Sequence, residues 1–113
     1  MPFINTKTNF EIDKNKRDKI KSEYGRAISL IPGKSERSLM LGFESCPMYF
    51  GGQEKDKIAF VEVKLYGSAD RGAMNELTGA ICDILNTETG IDRGDIYVKY
   101  EEVEVWGCGG HNF

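Results

Sequence analysis

Two residues in this chain have the chemistry of a proton-transfer site. Pro2 stands directly behind Met1, and removal of a methionine before so small a residue leaves the proline ring nitrogen as a free secondary amine. An α-amino group ordinarily titrates at about 7.7 to 8.0, so in water it is mostly protonated at pH 7 and a poor base. An apolar pocket beside a cation disfavours the charged form. Lowering the pKa by about one to two pH units, equivalent to about 1.4 to 2.7 kcal/mol, leaves a mostly neutral amine suited to proton abstraction. The ring also holds that nitrogen rigidly on the first strand. The plain alternative is a proline that merely opens an edge strand. Lys34, between helix and strand, is the candidate cation. It is either solvated, or it both depresses the Pro2 pKa and holds a substrate carboxylate.

Other spacings lead elsewhere. Gly33-Lys34-Ser35 is not a phosphate loop, because Ile28 stands where that fingerprint needs its first glycine. Arg93-Gly94-Asp95 precedes a strand and reads as a turn rather than an adhesion motif. Glu101, Glu102 and Glu104 read as solvated strand and rim positions. The three cysteines, Cys46, Cys82 and Cys108, form no CxxC pair and no zinc-ligand arrangement with the single histidine, so reduced thiols are expected. His111 lacks a nearby acid or cysteine pattern for a triad or metal site and reads as a surface residue. Trp106 to Phe113, with its glycines between two aromatic ends, either shapes an aromatic wall beside a cleft or packs as a tail against a neighbouring subunit.

The elements that must position these residues repeat. Residues 3 to 7, FINTK, and residues 60 to 64, FVEVK, are β-prone stretches related by adding 57 to each number. The same offset takes Ile20 to Leu77, Tyr24 to Ile81, Ala27 to Ile84, Ile28 to Leu85, Gly33 to Gly90, Leu39 to Ile96 and Leu41 to Val98. Strand, helix face, glycine stop and second strand recur in order, which predicts a tandem βαβ duplication, with pseudo-repeats at about 2–50 and 57–105 in one domain spanning 1–113.

The first helix places Ile20, Tyr24, Ala27, Ile28 and Ile31 inward, with Asp13 as N-cap and Pro32-Gly33 as its stop. Lys14, Lys16, Arg17, Asp18 and Lys21 lie on its outer face. The second helix turns Met74, Leu77, Ile81, Ile84 and Leu85 inward, with Ser68 or Asp70 as cap and Gly90 just beyond its end. Strands are expected at the N-terminus, Ser38 to Phe43, Lys57 to Val63 and Asp95 to Val105. Leu39 to Leu41 is apolar without alternation, as for a strand covered on both faces. The fold class is α+β, a four-stranded mixed sheet with two helices on one face. The other face needs a cover, which a second copy of the chain supplies most simply.

Composition bounds the partners. At 113 residues the chain is one domain long, and its 40% apolar and 29% charged residues describe an ordinary globule. A net charge of −3 argues against a nucleic-acid surface, which needs a basic patch to displace counterions. Neither a transmembrane run nor a basic-then-apolar signal segment stands out, so a cytoplasmic protein with no membrane partner is expected.

The residues then converge on a family. The proline behind Met1, Gly33-Lys34, PMYFGG at 47–52, VEVKLYG at 61–67, DIYVKY at 95–100 and WGCGGHNF at 106–113 together resemble macrophage migration inhibitory factor and its microbial relatives in the tautomerase superfamily. The resemblance spans essentially the whole chain. It implies a homotrimer with an active site at each subunit interface, keto-enol tautomerisation of phenylpyruvate-like acids, and no cofactor. The family's base falls on Pro2 and its substrate-binding lysine on Lys34. A backbone amide contact falls on Tyr66, a tyrosine from the neighbouring subunit on Tyr97, and the apolar pocket wall on Trp106 and Phe113.

This chain departs from the family at three of these places. Lys99 stands where asparagine is common and is expected to assist Lys34, while Cys108 and Gly109 replace a usual Trp-Asn pair. These changes predict a larger, more cationic pocket. The CxxC of the vertebrate cytokine maps near Ile58 to Val61 and is absent, which removes thiol-disulfide chemistry. The rival class is a cytokine-like, host-interaction protein that binds a receptor, exported without a signal peptide, with a relic site. A third reading keeps the base but changes the reaction to decarboxylation or hydration, for which relatives use extra arginines. Arg37, Arg71 and Arg93 are the loop arginines here.

Overall fold

A computed structural model describes residues 1–113. The chain runs β1 (Pro2–Thr8), α1 (Lys14–Ala27), β2 (Met40–Ser45), β3 (Ala59–Tyr66), α2 (Arg71–Thr89), β4 (Ile96–Val103), β5 (Gly107–Cys108) and β6 (His111–Asn112). The first four strands form one sheet in the order β2-β1-β3-β4, and β5 and β6 form a separate hairpin. β1 and β2 are parallel, as are β3 and β4, while β1 and β3 run antiparallel at the centre. Each parallel pair requires a crossover, and each crossover carries one helix. The halves share a register: Phe3 faces Met40, and Phe60 faces Tyr97, which is the first pair with 57 added to both numbers.

The alternation FVEVKLY explains why β3 is a strand with one dry face. Ala59, Val61, Val63 and Leu65 are buried, and the residues between them are partly exposed. The buried set meets Ile20 and Tyr24 of α1 and Leu77, Ile81 and Leu85 of α2 in a single core. Polar atoms inside it are paired, as burial demands: the Thr6 and Tyr24 hydroxyls lie 2.9 Å apart, and no buried side-chain nitrogen or oxygen lacks a partner. Burial pushes the Tyr24 phenol well above its usual range, against a smaller opposing effect of Thr6.

The helix ends follow their capping residues. The Lys16 amide donates to Asp13 Oδ1 at 3.0 Å, and the Ala73 amide donates to Asp70 Oδ2 at 3.0 Å, so Asp70 rather than Ser68 caps α2. α2 ends at Gly90, whose φ of 79° is the left-handed conformation that favours glycine. The α-helical part of α1 stops at Ala27 and tightens into a 3-10 turn over Ile28–Leu30, ahead of the expected stop. The following turn brings the Lys34 amide to the Ile31 carbonyl at 3.1 Å.

Three strand expectations need correction. β2 is Met40–Ser45 rather than Ser38–Phe43, because Glu36–Ser38 winds into a 3-10 turn. It is an outer strand and is not covered on both faces, for Met40 is 67% exposed. β3 is Ala59–Tyr66 rather than Lys57–Val63. Lys57 leaves the sheet to donate to the Thr89 carbonyl at 2.7 Å, and the Ile58 amide donates to the Asn9 side chain instead of the ladder. β4 is Ile96–Val103, since Asp95 is held in a turn over Arg93–Asp95 and bound to Lys55 at 3.1 Å. In that turn Arg93 pairs with Asp83 of α2, so the RGD tripeptide is a structural connection.

The middle of the sheet face away from the helices is charged, with apolar side chains such as Phe60 and Tyr97 toward its ends. Lys7 pairs with Glu62 at 3.5 Å, Lys99 with Glu101 at 2.9 Å, and Asn5 donates to Glu44 at 2.5 Å. A cover for this face meets ion pairs at its middle and aromatic side chains at the Phe60–Tyr97 end.

Candidate active site

Pro2 opens β1 and is buried, opposite Leu65 near the end of β3. That end gathers the reagents. The Tyr66 amide donates to the Met1 carbonyl at 3.0 Å, and the Tyr66 carbonyl accepts from Lys34 Nζ at 2.9 Å. The backbone of one residue, Tyr66, therefore holds both the chain's first residue and Lys34, which is 32 positions away from it in sequence. Lys34 gets there because the Pro32-Gly33 turn, with Gly33 at a φ of 83°, redirects the chain from α1 back over the sheet.

The electrostatics follow from this crowding. The Met1 amine has its pKa lowered, first by burial, then by Lys34 through hydrogen bonding and through its positive charge. With Met1 in place the Pro2 nitrogen is a tertiary amide and has no basicity. Pro2 itself is buried, whereas Met1 is half-buried.

The C-terminal hairpin closes one side. The Phe113 ring lies 6.0 Å from the Tyr66 ring, so Phe113 stands over the end of β3, and the Phe113 amide donates to the Trp106 carbonyl at 3.0 Å, which holds the Trp106 backbone beside it. Five of the residues singled out from sequence, Pro2, Lys34, Tyr66, Trp106 and Phe113, thus meet at one end of the sheet.

Tyr97 and Lys99 do not join them within the chain. Tyr97 pairs with Phe60, five positions along β3 from the Leu65 that faces Pro2, a separation of about 17 Å at strand spacing. There Tyr97 packs against Phe50 at 5.0 Å and Phe60 at 6.4 Å, beside a cavity of about 520 Å³. Lys99 stands on the charged face with its ammonium held by Glu101, which raises the Lys99 pKa and lowers that of Glu101. It is a paired cation and not a free second charge at the Pro2 end.

Phe50 and Phe60 were not identified as site residues from sequence. Phe60 carried a signal, since it alternates outward between buried Ala59 and Val61 on a strand whose next two outward positions, Glu62 and Lys64, are charged. No group of three or more His, Cys, Asp or Glu side chains is arranged to hold a metal ion. No helix is long and apolar enough to cross a membrane.

No family model matches the chain, and no curated protein matches it by sequence. Solved structures do match over nearly its whole length. The Leishmania major MIF2 structure is 30% identical, covering 100% of this chain and 97% of that one, with a TM-score of 0.92. The macrophage migration inhibitory factor homologue from Prochlorococcus marinus is 25% identical over 98% of both chains, with a TM-score of 0.86. The Entamoeba histolytica MIF-like protein, at 24% identity over 99% of this chain and 98% of that one, shares the fold at a TM-score of 0.86. A match at 30% identity over the whole of this chain and nearly all of that one is one of family and not of fold alone, so the chain belongs to the macrophage migration inhibitory factor family of the tautomerase superfamily.

Proposed function

We propose that the protein is a keto-enol tautomerase of phenylpyruvate-like α-keto acids, with the Pro2 amine as general base once Met1 is removed. The observation that carries this reading is the pairing at Tyr66. While Met1 is attached, its carbonyl oxygen takes the Tyr66 amide hydrogen. Loss of Met1 removes that acceptor and frees, at one stroke, a basic nitrogen and a backbone donor beside the Lys34 ammonium. A buried donor without a partner costs about 1 to 3 kcal/mol, so the vacated position favours an incoming oxygen. A carboxylate or enolate oxygen meets that requirement.

In this reaction the substrate carboxylate pairs with Lys34 and its aromatic or alkyl portion lies against Phe113 and Trp106. Neutral Pro2 takes a proton from the enol hydroxyl, or from the carbon next to the ketone, and returns it to the other end of the conjugated system. The Tyr66 amide stabilises charge developing on oxygen, a role suited to a rigid donor in a sheltered site. The first step moves one proton from substrate to amine and the second returns it, so the full cycle restores the enzyme with no change of redox state.

The separation of Tyr97 from Pro2 along β3 supports a homotrimer, in which the aromatic end of one copy lies against the Pro2 end of the next. A wet, charged sheet face suits such an assembly, because Lys7, Lys64 and Lys99 balance Glu44, Glu62 and Glu101 across it. The test combines intact mass, which reports removal of Met1, with the ultraviolet assay of phenylpyruvate keto-enol conversion. Conversion should track the fraction of chains lacking Met1. Equal turnover by chains that keep Met1 would refute the reading.

A further inference from the structure

The geometry points to a second site, on the C-terminal hairpin that also carries Phe113: a chelate for a soft divalent cation of the zinc class, held by the Cys108 thiolate and a ring nitrogen of His111. In sequence these residues give no metal signal. In the fold they are direct cross-strand partners, Cys108 of β5 facing His111 of β6. Only Gly109 and Gly110 separate them, with φ of 65° and 99°, the positive values that a two-residue hairpin loop requires. Directly opposed residues have Cβ atoms about 4.5 to 5.5 Å apart on one face of the ribbon. A tetrahedral ion with Zn–S near 2.3 Å and Zn–N near 2.0 to 2.1 Å holds its two donors about 3.5 Å apart. Two side chains that start about 5 Å apart at Cβ reach that spacing without movement of the backbone.

The donors are free to do so. Cys108 is an exposed, unpaired thiol, His111 is exposed, and the residues of the hairpin surround an open concavity of about 340 Å³. Neither side chain makes a hydrogen bond or ion pair that chelation must break, and the only contact within the chain that orients the imidazole is the edge of Phe113 at 6.2 Å. A thiolate with an imidazole selects zinc-class or cuprous ions over magnesium or calcium. Binding releases the thiol proton to solvent. Two protein donors leave further coordination positions open to water. The preformed glycine turn matters because it orders both donors before the ion arrives.

Cobalt(II) is the probe, added to the full chain with its thiols reduced in a buffer that does not chelate. One equivalent per chain should bind with thiolate-to-cobalt charge-transfer absorbance, and zinc should displace it. Cys108→Ser should abolish that absorbance, and His111→Ala should weaken cobalt binding at least tenfold. Cys46→Ser and Cys82→Ser should leave both unchanged. The substituted hairpin side chains are exposed, and far-ultraviolet circular dichroism checks that each variant is folded. No uptake, charge-transfer absorbance that survives Cys108→Ser, or His111→Ala binding as tightly as the parent would each overturn the site. Because the readout is binding, its outcome is separate from that of the tautomerase assay.

Discussion

The two ends of β3 are built from opposite materials. At the Tyr66 end the chain's first residue and the Lys34 ammonium both bond the backbone of Tyr66, and Lys34 lies close enough to the Met1 amine to lower its pKa. At the Ala59 end Phe50, Phe60 and Tyr97 surround an apolar cavity, and Tyr97 remains 57% exposed. The first end has reagents with partial shelter, and the second has shelter with no acid or base lining it. Proton transfer by a neutral amine requires both, since only a water-poor surrounding keeps the amine uncharged at neutral pH. The contrast therefore explains why one copy of the chain is an incomplete catalyst under the proposed function.

The sharpest way to break this contrast is to silence the reagent end. Acetylating the Pro2 amine should lower kcat/KM for phenylpyruvate by about 100-fold or more, the usual contribution of a positioned general base, with thermal stability unchanged. An acetylated protein that keeps its turnover would show that the chemistry lies elsewhere.

Removing the cation should have two readouts. Lys34→Gln should reduce kcat/KM by about 10- to 100-fold, in line with about 1.5 to 3 kcal/mol for a charge-assisted hydrogen bond. It should also move the acidic limb of the pH profile. The base works when neutral, so activity rises as pH passes upward through the amine pKa. Burial and Lys34 lower the pKa of the Met1 amine, and the same causes acting on the proposed Pro2 amine should bring the parent limb below about 7.7 and shift the variant limb toward higher pH. An unmoved limb would mean that Lys34 only holds substrate.

The shelter end should respond more modestly, and only across copies. Tyr97→Ala should cost about tenfold in kcat/KM with little loss of stability, because the side chain is more than half exposed. Co-refolding that variant with Pro2-acetylated chains should restore activity, since the first supplies the amine and the second supplies Tyr97. Failure to complement would place the two ends in independent roles. The smallest effect is expected from Asp70→Ala, which deletes the cap of the helix lying behind the sheet. It should cost about 1 kcal/mol, read as a lower Tm, with kcat/KM unchanged.

Much of this architecture was legible in residue order. The inward stripes of both helices, the caps at Asp13 and Asp70 and the stop at Gly90 rest on interactions within four residues of each other, so local pattern suffices to find them. Strand limits were harder to read. Lys57 has a strand-like neighbourhood, yet its ammonium is drawn to the last turn of α2, where unpaired carbonyls attract a cation. Leu39 to Leu41 carries the run of a buried strand but lies at a sheet edge, and an apolar run alone does not distinguish the two. Lys99 was expected to add charge to the pocket, but its strand neighbour two residues on, Glu101, claims it.

The order of residues was enough to specify the two βαβ units and their shared offset and to single out Pro2 and Lys34 as candidates, because periodicity, capping and turn chemistry act over a few residues. It was not enough to say where these reagents meet. That depends on β1 running antiparallel to β3, which carries Pro2 to the Tyr66 end and leaves Tyr97 at the other, and on the turn that sends Lys34 across the sheet. Contacts between residues more than 30 positions apart arise from how strands are ordered and buried together, and no local preference of Pro2, Lys34 or Tyr97 encodes that order.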